Sequence, residues 1–92
     1  IGGAVAETVG RYLRLLAKNK QVLCVTHLPQ VAAQGHNHFQ VSKDISAQTT
    51  RSKIVQLEAK ARVEEIARML GGQIITEATR TAAHEMIASA NN

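Results

Sequence analysis

Residues 4–18 carry apolar and charged side chains at the spacing of an amphipathic helix. Five apolar side chains share one face of that helix: Val5, Val9, Tyr12, Leu13 and Leu16. Four charged side chains share the opposite face: Glu7, Arg11, Arg14 and Lys18. Because this pattern matches the helical period, we predict a helix that buries its apolar stripe and turns its charged face to solvent.

A short, nearly continuous apolar run follows at residues 21–26, with the sequence QVLCVT. Such a run, rich in β-branched residues, is typical of a strand buried on both faces in a parallel sheet. A helix followed directly by this kind of strand forms the second half of a βαβ crossover, and no first strand precedes it in the sequence. We therefore expect these 92 residues, which begin at Ile1 rather than at a methionine, to be a piece of a larger α/β domain.

The middle of the chain predicts a short helix and a β-hairpin. Pro29 favours a helical turn, because proline at the first helical position costs no hydrogen bond. Residues 37–57 contain two runs with strand character, separated by a polar stretch that is typical of a hairpin connection.

Residues 60–90 predict two closing helices. The first ends at Gly71-Gly72, and Thr76 is a suitable N-cap for the second. Their predicted inner faces are Val63, Ile66, Ala67 and Leu70 in the first helix, and Ala78, Ala82 and Met86 in the second. The predicted fold class is thus α/β, with the order α-β-α-β-β-α-α.

The charge and composition of the chain narrow the classes of nucleic-acid binding that it supports. Only Tyr12 and Phe39 are aromatic, so a surface that stacks bases on aromatic rings is disfavoured. The formal net charge is +4, and the helix over residues 4–18 presents basic side chains that could meet DNA phosphates. Since acidic residues are interleaved with the basic ones, we favour an ordinary solvated helix face.

The cellular compartment is predicted from cysteine usage and hydropathy. Cys24 is the only cysteine, so no intramolecular disulfide can form, as is usual in a reducing cytoplasm. No apolar run reaches the roughly 20 residues that a membrane span needs, and no signal peptide is recognised. We therefore expect a cytoplasmic protein without a membrane partner.

Candidate chemistry lies at the Thr26-His27 step. The carboxyl ends of buried parallel strands are where ligands bind in open α/β sheets. An imidazole in this position can exchange a proton or a hydrogen bond near neutral pH, as phosphate sensing or water orientation requires. The alternative is that His27 only caps the following turn, and its position in the sequence leaves both interpretations open.

A metal site is a weaker possibility. The four candidate ligands, with spacings of two, eight and one residues, are Cys24, His27, His36 and His38. Zinc sites usually have two tight pairs, and an extended strand would point Cys24 and His27 to opposite faces. We predict no metal site, a buried Cys24, His36 and His38 at a surface turn, and a solvated His84.

Several sequence blocks resemble the RecN family of bacterial DNA-repair proteins, which are ATPases of the ATP-binding-cassette and SMC type. Residues 21–33, QVLCVTHLPQVAA, are similar to the segment that holds the switch histidine of these ATPases. Ile1-Gly2-Gly3 resembles the end of their D-loop. Further similar blocks are Gly35-His36, Val41-Ser42-Lys43 and RVEEIARMLGG at residues 62–72, so the resemblance covers nearly the whole chain.

The resemblance implies the carboxy-terminal lobe of a P-loop ATPase head over residues 1–92. It divides the lobe into the D-loop tail at 1–3, the switch-histidine segment at 21–33, the hairpin at 37–57 and terminal helices at 60–90. It implies that His27 senses the terminal phosphate of ATP, and that Gly2 and Gly3 contribute to the nucleotide site across a head dimer. For the full-length protein it implies ATP and Mg²⁺ as cofactors, DNA and a second copy of the head as partners, and association with the bacterial nucleoid.

Most of the nucleotide machinery of such a head is not encoded in these residues. The sequence has no GxxxxGKS/T phosphate loop, no apolar strand ending in Asp-Glu and no Ser-Gly-Gly signature. We therefore predict that the chain alone is inactive and binds no cofactor. The alternative function is a small non-catalytic module that binds DNA or a protein through its basic face. A strand at residues 21–26 that pairs only within a closed sheet would favour that alternative.

Overall fold

The computed structural model describes residues 2–46 and 48–91 as a mixed α/β structure. Its elements in chain order are α1 (Gly3–Leu16), α2 (Pro29–Ala32), β1 (Phe39–Ser46), β2 (Thr49–Gln56), α3 (Ala59–Gly71) and α4 (Glu77–Ala90). Within these residues no helix combines the length and hydropathy that crossing a bilayer requires.

The core lies where α2, α3 and α4 meet. Its fully covered side chains are Ala33, Ile66, Ala67 and Ala83, with Val63, Met69, Ile75, Met86 and Ile87 packed against them. Because three of the four covered side chains are alanines, the helices approach closely but bury little apolar surface. Ile66 is the one large side chain that is fully buried among the described residues.

The two closing helices begin and end where the sequence predicts. Gly72 follows α3 with a φ of 76°, a backbone conformation that glycine adopts without steric cost. Thr76 caps α4 through a reciprocal pair of hydrogen bonds with Thr79. The predicted inner face of α4 is confirmed for Met86, which packs against the core, but it is wrong for Ala78, which is exposed, and it missed Ala83 and Ala90, which are buried. The helix is rotated so that Ala83 meets the Ile66 cluster, and the Arg80–Glu64 ion pair of 2.9 Å joins α4 to α3.

β1 and β2 lie within residues 37–57 and pair antiparallel in a two-stranded sheet. Leu57 extends the ladder by donating its backbone N–H to the carbonyl of His38, at 2.8 Å. The hairpin joins α3 through Gln40, whose side-chain amide donates to Glu65 at 2.8 Å. Both faces of the hairpin are otherwise largely exposed, so its attachment to the helices lies at its base.

The predicted strand at residues 21–26 is wrong, since this segment belongs to no described sheet and the order of elements is α-α-β-β-α-α. Leu23 is 88% exposed and Val25 is 94% exposed. Cys24, which we expected to be buried, is exposed as well. An interior strand is stable only between neighbours that satisfy its backbone groups and cover its side chains. The described residues supply no such neighbours.

α1 forms as predicted but buries a different face. Its apolar stripe stays open, with Tyr12 66% exposed, while Ala6 and Gly10 are buried. The reason is the partner of α1: it packs on the short helix α2, and small side chains allow that close approach. The opposite, charged face holds the exposed Arg11–Glu7 ion pair at 2.9 Å.

Candidate functional site

His27 lies on a turn between the extended segment 21–26 and α2, with its side chain exposed. The turn is held by the hydroxyl of Thr26, which accepts the backbone N–H of Leu28 at 3.0 Å. The imidazole takes part in no hydrogen bond with the residues that the structure describes. A solvent-facing imidazole on an ordered turn is available to a ligand.

α2 forms the base of this turn. Leu28 is its N-cap, and the Leu28 carbonyl accepts the backbone N–H groups of Val31 and Ala32 at 3.1 and 3.0 Å. Pro29 occupies the first helical position and is buried together with Val31. The segment that follows His27 is therefore anchored, whereas the segment that precedes it is not.

The structure brings Gly3 close to this base. A Cβ atom on Gly3 would lie 3.2 Å from the side-chain nitrogen of Gln30, which belongs to α2. Gly2 is the exposed N-cap of α1 and has open space around it. Ile1, the first residue of the predicted D-loop tail, lies outside the described residues.

Gly10 sets the distance between α1 and α2. A Cβ atom on Gly10 would lie 2.8 Å from Cγ of Gln34 and 3.1 Å from the carbonyl oxygen of Gln30. Both distances are too short for normal packing, so the two backbones approach closely because this position is glycine. The position of α2, and with it the His27 turn, depends on this contact.

Two arginines, Arg14 and Arg62, donate hydrogen bonds to the C-terminal end of α2 and to the turn that follows it, and we call them the arginine clamp. Arg14 Nη1 donates to the carbonyl of Gln34 at 2.6 Å, and Arg62 Nη2 donates to the carbonyl of Gly35 at 2.6 Å. Arg62 Nη2 also lies 3.2 Å from the carbonyls of Ala32 and Ala33. The last carbonyls of a helix have no intrahelical partner, and a cation is favourable there.

Neither member of the clamp is assigned this role by the sequence patterns. The helical pattern predicts Arg14 on the solvent-facing side of α1, which is wrong because its guanidinium turns inward to α2. Arg62 was missed. The available signal was its position four residues before Ile66, at the margin of the buried stripe of α3.

A half-buried imidazole, that of His38, lies beside the clamp. Burial lowers the pKa of His38, and the nearby charge of Arg62 lowers it further, while Glu65 opposes the change. His38 Nδ1 and Arg62 Nε are both buried without a hydrogen-bond partner among the described groups. His38, predicted at a surface turn, is therefore half-buried with its Nδ1 atom covered, whereas His36 is exposed.

Glu65 connects the hairpin to α3. Arg68 donates two hydrogen bonds to its carboxylate, at 2.6 and 2.9 Å, and Gln40 donates a third. The hydrogen bonds from Arg68 are the main reason that the pKa of Glu65 lies below its usual range, although burial acts in the opposite direction. Glu65 therefore stays ionised at a lower pH than an ordinary glutamate, and its charged form keeps the hairpin base attached.

The structure separates the remaining candidate residues from the His27 turn. A cavity of about 420 Å³ between the hairpin base, α3 and α4 has His36 and His84 among its lining residues, but not His27, Gly2 or Gly3. Residues 2–46 and 48–91 contain no group of three or more His, Cys, Asp or Glu side chains that could hold a metal ion. The four candidate ligands named from the sequence thus do not converge.

These features define a small α/β structure with an exposed histidine on a turn. Two arginines bind the backbone at the end of the short helix that follows this turn. No protein-family model matches the chain. It is 54% identical over 87 residues (95% of its length) to a protein from Xylella fastidiosa named DNA repair protein RecN. Proteins of the same name are 46% identical over 90 residues (98%) in Vibrio cholerae and 33% identical over 91 residues (99%) in Bacillus subtilis. The chain belongs to the RecN family and spans about 16% of the length of these curated relatives.

Proposed function

We propose that this chain supplies the switch histidine of the ATPase head of a RecN-type DNA-repair protein. The observation that carries the proposal is the exposed imidazole of His27 on a turn whose following helix is tightly anchored. A side chain that senses a bound phosphate must be accessible to the ligand and must keep the same position when the ligand binds and leaves. An exposed imidazole next to an anchored helix meets both requirements.

The chemistry assigned to His27 is hydrogen bonding to the terminal phosphate of ATP, or orientation of the attacking water. An imidazole performs either task near neutral pH. Gly2 and Gly3, as the tail of the D-loop, would contribute to the nucleotide site of a second head. The proximity of Gly3 to Gln30 supports a link between that tail and the His27 turn.

ATP and Mg²⁺ would be held by parts of the head beyond these residues. Phosphoryl transfer depends on a phosphate cradle and on carboxylates that position the metal. The sequence of this chain contains neither motif, so we propose that it contributes to hydrolysis only within the complete head. The role in DNA repair, the contact with DNA and the pairing of two heads are likewise proposed for the whole protein.

The alternative function, a DNA-binding module that uses the basic face of α1, is weakened by the contacts of that face. Arg14 donates to Gln34 and to Asn91, at 2.6 and 3.0 Å, and Arg11 is paired with Glu7. Guanidinium groups that already donate to protein acceptors have fewer free N–H groups for hydrogen bonds to phosphates.

The test is ATP hydrolysis by a chimera of the Xylella fastidiosa relative in which these residues replace the matching segment. We expect His27→Ala to lower kcat by about a hundredfold or more, with a smaller effect on KM, because the group acts mainly in the transition state. His84→Ala is the control, since His84 is exposed on α4, and it should leave turnover unchanged. Equal turnover of the His27→Ala and parent chimeras would refute the proposal.

A further inference from the structure

We propose that Arg62 is a positioning residue for His27, acting by holding the C-terminal end of α2. The inference rests on the proposed function of His27 and adds to it the residue that sets the location of the imidazole. The side-chain hydrogen bonds that Arg62 makes among the described residues go to backbone carbonyls at and after the end of α2, not to His27. Its effect passes through the backbone of α2.

α2 depends on contacts from outside for its order. It has four residues, far fewer than an isolated helix needs to be stable in water. Arg62 Nη2 lies 3.2 Å from the carbonyl oxygens of Ala32 and Ala33, and 2.6 Å from the carbonyl oxygen of Gly35 in the turn after the helix. Charge-assisted hydrogen bonds of this kind are about twice as strong as neutral ones. Arg62 is therefore the main polar restraint on this end of α2.

The restraint reaches His27 through consecutive hydrogen bonds. Leu28, the next residue in the chain, accepts from Val31 and Ala32 and donates to the hydroxyl of Thr26. His27 thus lies on a turn that leads directly into the first turn of α2. A shift of α2 must move Leu28, and the imidazole moves with it.

Arg62 is itself fixed in place. Its backbone N–H donates to the carbonyl of Glu58 at 2.8 Å, so it belongs to the first turn of α3, and α3 carries the fully buried Ile66. The side chain is half-buried, and Arg14 approaches it closely enough to help lower its pKa after burial, the larger cause. The two like charges bind neighbouring carbonyls rather than the same one, since Arg14 donates to Gln34 and Arg62 to the residues on either side of it. Lysine is no equivalent, because its ammonium lacks the planar guanidinium fork.

The first experiment measures amide hydrogen exchange in this chain with Arg62→Lys. We expect exchange at Val31, Ala32 and Ala33 to accelerate by about tenfold or more, because the charged hydrogen bonds that order α2 are weakened. Arg80→Lys is the matched control, since the side-chain hydrogen bonds of Arg80 go to Glu64 in α3 and Glu77 in α4. Arg14→Lys should accelerate the same α2 amides by a smaller factor, because only one carbonyl loses its partner to this substitution.

Two results would overturn the positioning role. One is unchanged exchange in α2. The other is an equal acceleration throughout α3 and α4, which would mean that Arg62 supports the fold in general rather than α2 in particular.

The second experiment separates this inference from the proposed function, using the chimera described above. Arg62→Lys should lower kcat by about tenfold while KM for ATP stays nearly constant, because the imidazole of His27 is displaced but is still present. In a His27→Ala background the same substitution should have almost no further effect, since the group that it positions is gone. If the two losses multiply instead, the positioning role is wrong while the function of His27 stands. If His27→Ala alone has no effect, the proposed function fails, and hydrogen exchange still decides whether Arg62 orders α2.

Discussion

At the scale of single residues, the site depends on contacts that small or charged side chains make with the α2 backbone. Gly10 allows α1 to approach α2, and the arginine clamp satisfies the carbonyls at the C-terminal end of α2. None of these residues is chemically reactive in the proposed reaction. They matter because the imidazole of His27 is useful only where α2 holds it.

A substitution at Gly10 tests this packing. Gly10→Ala places a methyl group 2.8 Å from Cγ of Gln34 and 3.1 Å from the Gln30 carbonyl oxygen. We expect the free energy of unfolding, measured by urea denaturation, to fall by about 1–3 kcal/mol, the usual cost of overpacking. Gly2→Ala is the control, because a Cβ atom there meets nothing within 4 Å. Its cost should not exceed the roughly 1 kcal/mol of a poorer N-cap, and similar losses in both variants would contradict the proposed close contact.

At the scale of elements, helix ends decide much of the local structure. α3 is followed by Gly72, which has a positive φ, and α4 is preceded by Thr76, which forms a capping box with Thr79. These signals are local, so the sequence predicts both boundaries. The hairpin is less self-sufficient, because a two-stranded sheet is marginal in water and this one is attached to α3 mainly at its base.

Thr76→Ala tests the cap of α4. Its hydroxyl accepts the backbone N–H of Thr79 at 3.2 Å, and alanine leaves that donor without a side-chain partner. We expect a loss of about 1 kcal/mol in the free energy of unfolding, followed by circular dichroism during thermal denaturation. Thr8→Ala is a matched control, because the Thr8 hydroxyl donates to a carbonyl inside α1 and caps no helix end. A stability of Thr76→Ala equal to that of the parent would show that the cap contributes nothing.

At the scale of the whole molecule, little apolar surface is buried and much is left uncovered. The apolar stripe of α1 and the side chains of Leu23 and Val25 face solvent, while the core is built mostly from alanines around Ile66. Stability that rests on a small core is sensitive to a few polar groups near it. His38, which lies beside the core helix α3, and Glu65, which belongs to it, are such groups.

The dependence of stability on pH follows from these two side chains. The pKa of His38 is lowered in the folded state by burial and by Arg62, so the unfolded chain binds this proton more readily. Stability should therefore decrease as the pH falls below the ordinary histidine pKa of about 6.5. The lowered pKa of Glu65 adds a second loss below its ordinary value of about 4.3, since its hydrogen bonds with Arg68 require the charged form.

Urea denaturation at a series of pH values checks this expectation. In His38→Gln, the decrease in stability that begins near neutral pH should disappear, while the decrease at lower pH should remain. His36→Gln, which changes an exposed imidazole, should retain both decreases. A pH profile that is the same in the parent and in His38→Gln would mean that His38 does not titrate with folding.

Local patterns in the sequence were sufficient to predict the extent of α1, the boundaries between α3 and α4, and the Ile66-Ala67 face of α3. Helical periodicity, capping residues and glycine stops act within one or two turns, so they can be recognised without knowledge of the fold. The block QVLCVTHLPQVAA also pointed to the family, and the 54% identity to a relative named RecN bears this out. The roles of His27, Gly2 and Gly3 stay predictions.

Tertiary contacts alone decided which surfaces are buried and which groups surround the His27 turn. α1 buries Ala6 and Gly10 rather than its apolar stripe, because its partner among the described residues is the short helix α2. Arg14 and Arg62, 48 positions apart in the sequence, converge on carbonyls of one helix end, and no spacing in the sequence encodes that meeting. Residues 21–26 were predicted wrongly for a related reason. A strand-like pattern forms a strand only where neighbouring strands satisfy its backbone hydrogen-bonding groups.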